Sequence, residues 1–173
     1  MRTIFVLAVV VVLLGALAVT YVRTTGLRSQ AEPGAIETMI ARRIRAFAVP
    51  DQMKALTNPL PANDENTRAG MEHFAKYCAM CHGNDGSGQK SAIGRGLFPK
   101  PPDMRALTTQ QLTDGELFYI IENGVRFTGM PAFGTGAVDD AGAGLAWQLV
   151  HFLRRLPRLT PDEVSEMETM NPL

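Results

Sequence analysis

Residues 76–88 read KYCAMCHGNDGSG and contain both cysteines of this chain of 173 residues. Cys78 and Cys81 stand three positions apart, and His82 follows at once. The residues before Cys78 have helical spacing, whereas the glycine-rich stretch after His82 cannot form a regular helix. The fold therefore depends on the kind of site that uses two thiols and an imidazole this close together. Three kinds of site are possible.

A structural zinc site normally has four ligands, usually from two such pairs. The chain has no second cysteine pair, and its other histidines, His73 and His151, do not form a ligand pair. A thioredoxin-like dithiol is expected in a βαβ context, which the surrounding residues do not show. In the third chemistry, two thiols bond covalently to a c-type haem and the adjacent imidazole binds its iron. The spacing favours this one, with a single haem c on Cys78, Cys81 and His82.

The N-terminal stretch from Ile4 to Val22 is uncharged and long enough to cross a bilayer as one helix. An uncleaved anchor explains its full length and is the favoured interpretation. A cleaved signal peptide, with a site at the small residues 16–18, stays open. Both interpretations export the rest of the chain, so we expect an inner-membrane protein whose haem domain faces the periplasm.

The charge balance does not indicate nucleic acid as a partner. The chain has 17 basic and 17 acidic residues, and its formal net charge is zero. Lysine is scarce, so a lysine-ringed docking face is not expected. The lysines are Lys54, Lys76, Lys90 and Lys100.

The segment between the anchor and the haem motif predicts an amphipathic helical arm. Residues 35–50, AIETMIARRIRAFAVP, place apolar side chains at helical spacing, with arginines largely on the other side, and Pro50 ends the pattern. This helix either packs on the haem domain or lies on anionic lipid or a partner subunit. Residues 51–66 contain two prolines and a cluster of Asn and Asp, which predict an extended strap.

Helix start and stop signals come after the haem motif. They predict one helix in the middle of the domain, a last core helix, and a short acidic tail helix. In chain order these signals are the capping box Thr113–Glu116, the stop Asn123–Gly124, the possible caps Asp139 and Asp140, the break at Pro157 and the capping box Thr160–Glu163.

A haem iron bound by His82 has one axial position left, and methionine is the usual second ligand where the task is electron transfer. Position along the chain leaves Met104 and Met130 as candidates. Met130 lies in FTGMPAFG, residues 127–134, where a glycine and a proline form a tight turn that can aim the thioether at a ring. We therefore favour Met130 as the second axial ligand. His151 is the nearest competitor, in the middle of a helix.

The chain resembles the class I cytochrome c family, in particular small domains similar to the haem subunit III of cbb3-type oxidases. The resemblance covers about residues 67–156. It implies an all-α class I cytochrome c fold around one covalent haem, with axial ligands His82 and Met130. The matching residues are Gly70 and Phe74, CAMCH at 78–82, NDGSG at 84–88, FPKPPD at 98–103, DGELFYIIENG at 114–124 and TGMPAFG at 128–134.

The resemblance also implies contacts around the haem. Gly70 would let the first helix cross closely against the last, where Trp147 or Val150 would meet Phe74. A proline carbonyl between residues 99 and 102 would accept the Nδ1–H of the haem histidine. Other expected contacts are Arg95 or Arg126 at a propionate and Phe98, Phe118, Phe127 and Phe133 around the ring.

The predicted organisation is an anchor or signal peptide over 1–23, a linker with the amphipathic helix over 24–66, a cytochrome c domain over 67–157 and a tail helix over 158–173. We predict a membrane-tethered carrier, rather than an enzyme, that passes single electrons from a redox protein donor to an acceptor. One alternative is a fixed haem subunit of a larger respiratory or dehydrogenase complex. Another is a haem sensor or enzyme with a displaceable methionine, for which the sequence provides no distal acid–base pair.

Overall fold

The computed structural model describes residues 2–26, 28–134 and 141–171. All regular structure in this part of the chain is helical, so the predicted all-α class is confirmed. The chain divides into two compact units, an N-terminal unit (Met1–Ala31) and a C-terminal unit (Glu32–Leu173).

The N-terminal unit is dominated by one long helix, α1 (Arg2–Thr25). Its apolar side chains are exposed along its length. At 24 residues it is about 36 Å long, which exceeds the hydrocarbon core of a bilayer. Among the described residues it is the one helix long and apolar enough to cross a membrane, by length and composition.

The C-terminal unit is built from short helices. They are α2 (Ala35–Ala48), α3 (Asp51–Lys54), α4 (Asp64–His73), α5 (Ala79–His82), α6 (Ala92–Gly96), α7 (Leu107–Gln110), α8 (Asp114–Asn123), α9 (Ala141–Arg155) and α10 (Pro161–Met170). A π-helical turn at Phe74–Cys78 joins α4 to α5, and a 3₁₀ turn at Leu156–Arg158 comes after α9. The buried apolar residues of α4, the π-helical turn, α8, α9 and α10 belong to one core cluster.

The core is organised around the crossing of α4 and α9. A Cβ at Gly70 would lie 2.1 Å from the carbonyl oxygen of Gln148, so only glycine allows this approach, as predicted. The ring partner of Phe74 is a residue that was not among those expected, Trp147 and Val150, and the contact of Phe74 with Val150 stays a prediction. Phe74 packs with Phe152 at 5.2 Å between ring centroids, whereas Trp147 stacks on a phenylalanine of α8. Phe152 lies one turn after Gln148 on α9, so the packing of α9 on α4 brings the Phe152 ring over α4.

The strap before α4 is tied to the helices it passes. Its chain includes the short helix α3, so it is not extended throughout. The Thr113 hydroxyl donates to the carbonyl oxygen of Lys54 at 2.9 Å, and the Asn58 side-chain amide donates to the carbonyl oxygen of Trp147 at 2.8 Å. These bonds place the strap across α8 and α9.

The predicted helix signals at both ends of α8 are confirmed. The side chains of Thr113 and Glu116 form a reciprocal capping box, and Gly124 ends the helix with a φ of +64°. A second capping box opens α10 at Thr160. The possible caps of α9, Asp139 and Asp140, lie outside the described residues.

Helix α10 packs on the domain. Met167 is fully buried in the core cluster, and Glu166 accepts from Arg68 of α4 at 2.6 Å. The C-terminal helix therefore contributes to the same core as α4 and α9.

Candidate haem site

The CAMCH segment lies on a continuous helical path from α4 through the π-helical turn into α5. The turn closes with a bond from the amide of Ala79 to the carbonyl oxygen of Phe74, and Gly83 ends the path with a φ of +72°. Wider turns of this type occur frequently at functional sites, and the residue that they insert rotates the next part of the helix about its axis. Here the turn ends at Cys78, so it sets the angular position of Cys78 around the helix axis.

The two thiols are free and partly buried. Desolvation, and secondarily the neighbouring Cys81, raises the pKa of Cys78 to about 12, and burial raises the pKa of Cys81 as well. A redox-active dithiol has a nucleophilic cysteine with a lowered pKa. The site therefore does not have the electrostatics of a thioredoxin-like centre.

His82 is buried, with 7% of its surface exposed. Desolvation lowers its pKa to about 4, so the imidazole is neutral at neutral pH, which is the form that binds a metal. Its Nδ1 has no hydrogen-bond partner among the described residues, so the predicted bond to a proline carbonyl at residues 99–102 is not formed. One of these carbonyls, that of Pro101, instead packs against Gly88, where a Cβ would lie 2.5 Å from its oxygen.

The loop after the haem histidine supports the attachment segment from one side. Asp85 is buried and accepts from the amide of Ser87 at 3.0 Å and from the ammonium of Lys90 at 3.1 Å. Burial raises the pKa of Asp85, but these hydrogen bonds outweigh it and leave the pKa below its usual value. Beneath the segment, a Cβ at Gly94 would lie 2.2 Å from the carbonyl oxygen of Cys81.

Both backbone groups of Met130 are bonded within its own loop. Its amide donates to the hydroxyl of Thr128 at 3.1 Å, and its carbonyl oxygen accepts from the amide of Val125 at 3.1 Å. The end of the loop is tied to α8, because the amide of Phe133 donates to the carbonyl oxygen of Ile121 at 3.1 Å. The methionine therefore sits on a backbone fixed to the core.

Two glycines make this loop possible. A Cβ at Gly124 would lie 2.7 Å from the carbonyl oxygen of Met130, and the φ of this glycine is positive. A Cβ at Gly129 would lie 2.6 Å from the side chain of Leu97. Close packing at Gly124 holds the loop against the end of α8, and close packing at Gly129 holds it against Leu97.

The rival axial ligands are engaged elsewhere. Met104 is buried in the core cluster, and its amide donates to the carbonyl oxygen of Gly86 at 2.9 Å. His151 has its Nε2 3.0 Å from the carbonyl oxygen of Leu60, in the strap. The contact of its ring nitrogen argues against His151, and Met130 as the second ligand stays a prediction.

The other residues expected around a haem differ in their burial and contacts. Phe118 is buried and stacked on Trp147 with 4.1 Å between ring centroids. Arg95 donates to the carbonyl oxygen of Gln89 at 3.0 Å, and Arg126 is exposed. Phe98, Phe127 and Phe133 all have more than a third of their surface exposed.

Sequence reasoning missed two hydroxyl residues that order the site. Thr128 supports the amide of Met130, and Ser91 caps α6 while its hydroxyl donates to the carbonyl oxygen of Met80. A serine or threonine beside a glycine-rich turn is the local signal that could have indicated both.

Residues 65–153 match the family described as cytochrome C oxidase, cbb3-type, subunit III. The match spans just over half of the chain, including CAMCH and the loop of Met130. The chain belongs to this family. A search of curated proteins gave no match.

Membership of the cbb3-type subunit III family makes this a haem c protein, as predicted, with CAMCH as the attachment motif. The residues present fit that group: two free thiols, a neutral buried imidazole and, in the described part of the chain, no cluster of three His, Cys, Asp or Glu side chains that could hold another metal. A bound haem supplies one-electron chemistry between Fe(II) and Fe(III). The protein's part is to hold the ring, bind the iron and exclude competing ligands.

Proposed function

We propose that this protein is a membrane-tethered monohaem cytochrome c that transfers single electrons between redox partners in the periplasm. The observation that carries the proposal is the Met130 loop, whose backbone is bonded at both the amide and the carbonyl of the methionine. His82 and Met130 would together hold the iron and leave no position for a substrate, so the bound group would supply one-electron chemistry alone. A thioether ligand also stabilises Fe(II) and raises the potential.

The tether is supported by α1. Its length and composition suit a single membrane crossing, although a signal sequence near an N-terminus has the same character. The CAMCH motif supports an exported domain. Covalent haem attachment takes place outside the cytoplasm, and both an anchor and a signal peptide at α1 bring the chain to that side. Alkaline carbonate washing should leave the protein in the membrane pellet with its N-terminus intact. Release of the protein, with a mature N-terminus near residue 19, would show instead that α1 is a cleaved signal peptide.

A second candidate is a fixed haem subunit of a respiratory or dehydrogenase complex. The family description itself, which is that of an oxidase subunit, supports it. Gentle solubilisation of native membranes distinguishes the two candidates. A free carrier should elute alone, whereas a fixed subunit should co-elute with other subunits in constant ratio.

The ligand assignment is tested by Met130→Ala. The oxidised protein should lose its weak sulfur-to-iron charge-transfer band in the near red, its potential should fall, and the reduced iron should bind carbon monoxide. Met130→His should restore six-coordination at a low potential, because imidazole favours Fe(III) more than a thioether does. Met80→Ala is the matched control, since Met80 lies in the attachment motif with 41% of its surface exposed. If the unmutated reduced protein binds carbon monoxide readily, the electron-carrier proposal fails.

A further inference from the structure

Helix α2 turns its apolar face away from the unit to which it belongs. The apolar stripe consists of Ile36, Met39, Ile40, Ile44 and Phe47, all of them exposed. The partly buried side chains of the helix are those of Thr38 and Arg45. With about 100° between successive residues, these two lie roughly opposite the centre of the stripe. The expectation that α2 packs its apolar face on the haem domain is therefore wrong.

The inner side of α2 carries a half-buried arginine in the electrostatic field of an acidic residue of α8. Burial lowers the pKa of Arg45, and the nearby carboxylate of Glu116 in α8 acts in the opposite direction. Just after the helix, Val49 is buried with 3% of its surface exposed. In this orientation Arg45 and Val49 are on the inner side, and the apolar stripe has no partner in the described part of the chain.

The charges on this outer face define what can cover it. At helical spacing Arg43 falls within the apolar stripe, and Arg42 falls on the flank of the helix, about 60° beyond Met39. The single acidic residue of the helix, Glu37, is in its first turn and accepts from the amide of Gly34 at 3.3 Å. A covering surface must therefore be apolar and must also supply anionic groups.

A second copy of the same face does not meet this requirement. A two-fold interface places the same patch on both sides, which would bring Arg43 of each copy into one desolvated contact. Unpaired buried charges of like sign are strongly unfavourable. The surface of an anionic bilayer is both apolar and anionic, as required. Its acyl chains accept the apolar side chains, while the arginines extend their guanidinium groups to the lipid phosphates.

The tether favours lipid as well. Only residues 26–34 separate α1 from α2, and a chain of this length spans at most about 35 Å. With α1 in the membrane, insertion of α2 becomes an intramolecular step at high effective concentration. Lipid binding scales with whatever apolar area is buried, so the exposed stripe of this 14-residue helix contributes to it directly.

We propose that α2 lies in the interface of an anionic bilayer as a second membrane contact, with its apolar stripe among the acyl chains and Arg42 and Arg43 at lipid phosphates. This inference rests on the proposed tether. Its consequence is that the haem domain cannot rotate freely about its linker, so one side of the domain stays turned to the membrane.

The test is hydroxyl-radical footprinting of the full-length haem protein, with one copy per nanodisc. Discs of phosphatidylcholine are compared with discs that also contain phosphatidylglycerol. Oxidation of Met39 and Phe47 should fall several-fold in the anionic discs. Met80 is an internal control, because it is an exposed methionine outside α2, and its oxidation should not change.

Charge variants sharpen the result. Arg42→Gln combined with Arg43→Gln should abolish the lipid-dependent protection of Met39. Lys76→Gln combined with Arg158→Gln removes the same charge from exposed positions outside α2 and should leave the protection intact. Equal oxidation of Met39 in both lipids, or protection only in discs that hold a second copy or another subunit, would overturn the proposal.

Carbonate extraction of native membranes, run beside the nanodisc footprinting, separates this inference from the tether. Full release of the protein would overturn the proposed tether. Retention of the protein with Met39 unprotected would overturn the lipid contact of α2 alone.

Discussion

Gly70 of α4 and Gln148 of α9 approach so closely that a Cβ at residue 70 would lie 2.1 Å from the Gln148 carbonyl oxygen. Backbone cannot move aside as a flexible side chain can. Any larger residue must therefore separate the two helices that hold the core next to the haem attachment segment.

We predict that Gly70→Ala destabilises the haem protein by about 1–3 kcal/mol, because overpacking outweighs the higher helix propensity of alanine. Guanidinium unfolding monitored by far-UV circular dichroism measures the change. Gly144→Ala is the matched control in α9, since nothing lies within 4 Å of a Cβ there, and it should be neutral or stabilise by up to about 1 kcal/mol. Equal stability of the two variants would contradict the role of the crossing.

Thr128 is predicted to position the Met130 loop. Its hydroxyl accepts from the amide of Met130 at 3.1 Å and donates to the carbonyl oxygen of Val125 at 2.7 Å. Thr128→Val keeps the shape and removes both bonds, which should weaken the loop by about 1–3 kcal/mol. We expect a weaker sulfur-to-iron band and faster carbon monoxide binding by the reduced protein.

Thr128→Ser retains the hydroxyl and should restore both signals toward those of the unmutated protein. If Thr128→Val and Thr128→Ser have the same spectrum and the same carbon monoxide kinetics, the hydroxyl does not position Met130.

Asp85 is predicted to contribute to acid sensitivity. Its folded pKa lies below its usual value, so its carboxylate binds fewer protons in the folded than in the unfolded state. The stability that it contributes is complete above the unfolded pKa of about 4 and is lost as the pH falls through the folded pKa. Unfolding free energies measured between neutral pH and about pH 2 should fall less steeply for Asp85→Asn. An equally steep fall for Asp85→Asn and for the unmutated protein would contradict this role.

Helix α10 is predicted to be an integral part of the core. Met167 is fully buried, so Met167→Ala should cost about 2–5 kcal/mol of unfolding free energy. Glu166→Ala removes the neighbouring ion pair with Arg68, in which the Arg68 and Glu166 side chains are 57% and 38% exposed, and should cost no more than about 1 kcal/mol. A Met167→Ala protein as stable as the unmutated one would mean that α10 contributes little to folding.

Much of the haem site was readable from local sequence. The spacing of Cys78, Cys81 and His82 indicated a covalent haem, and the family match confirmed it. The capping box at Thr113 and the stop at Gly124 were also correct. These features depend on chemistry within a few residues, so a short stretch of sequence contains all the information they need.

The orientation of α2 could not be determined in this way. Its sequence shows an apolar face and a polar face, and both remain possible inner faces until the rest of the chain is placed. Arg45 is half-buried on the inner side, where its electrostatic partner Glu116 comes from a part of the chain far away in the sequence. The ring contact of Phe74 with Phe152 was not foreseen for the same reason, since the crossing angle of two helices selects it.

The sequence by itself determined which cofactor the chain carries, where α8 begins and ends and where α10 begins, and the family resemblance indicated the glycine at the main crossing. Only the tertiary structure decided that His151 is engaged by Leu60 of the strap, that Met130 is bonded at both backbone groups, and that α10 belongs to the core. The physical reason is the range of the interactions. Attachment chemistry and helix caps act between near neighbours, whereas the face that a helix buries and the partner of a side chain depend on contacts between segments far apart in the chain.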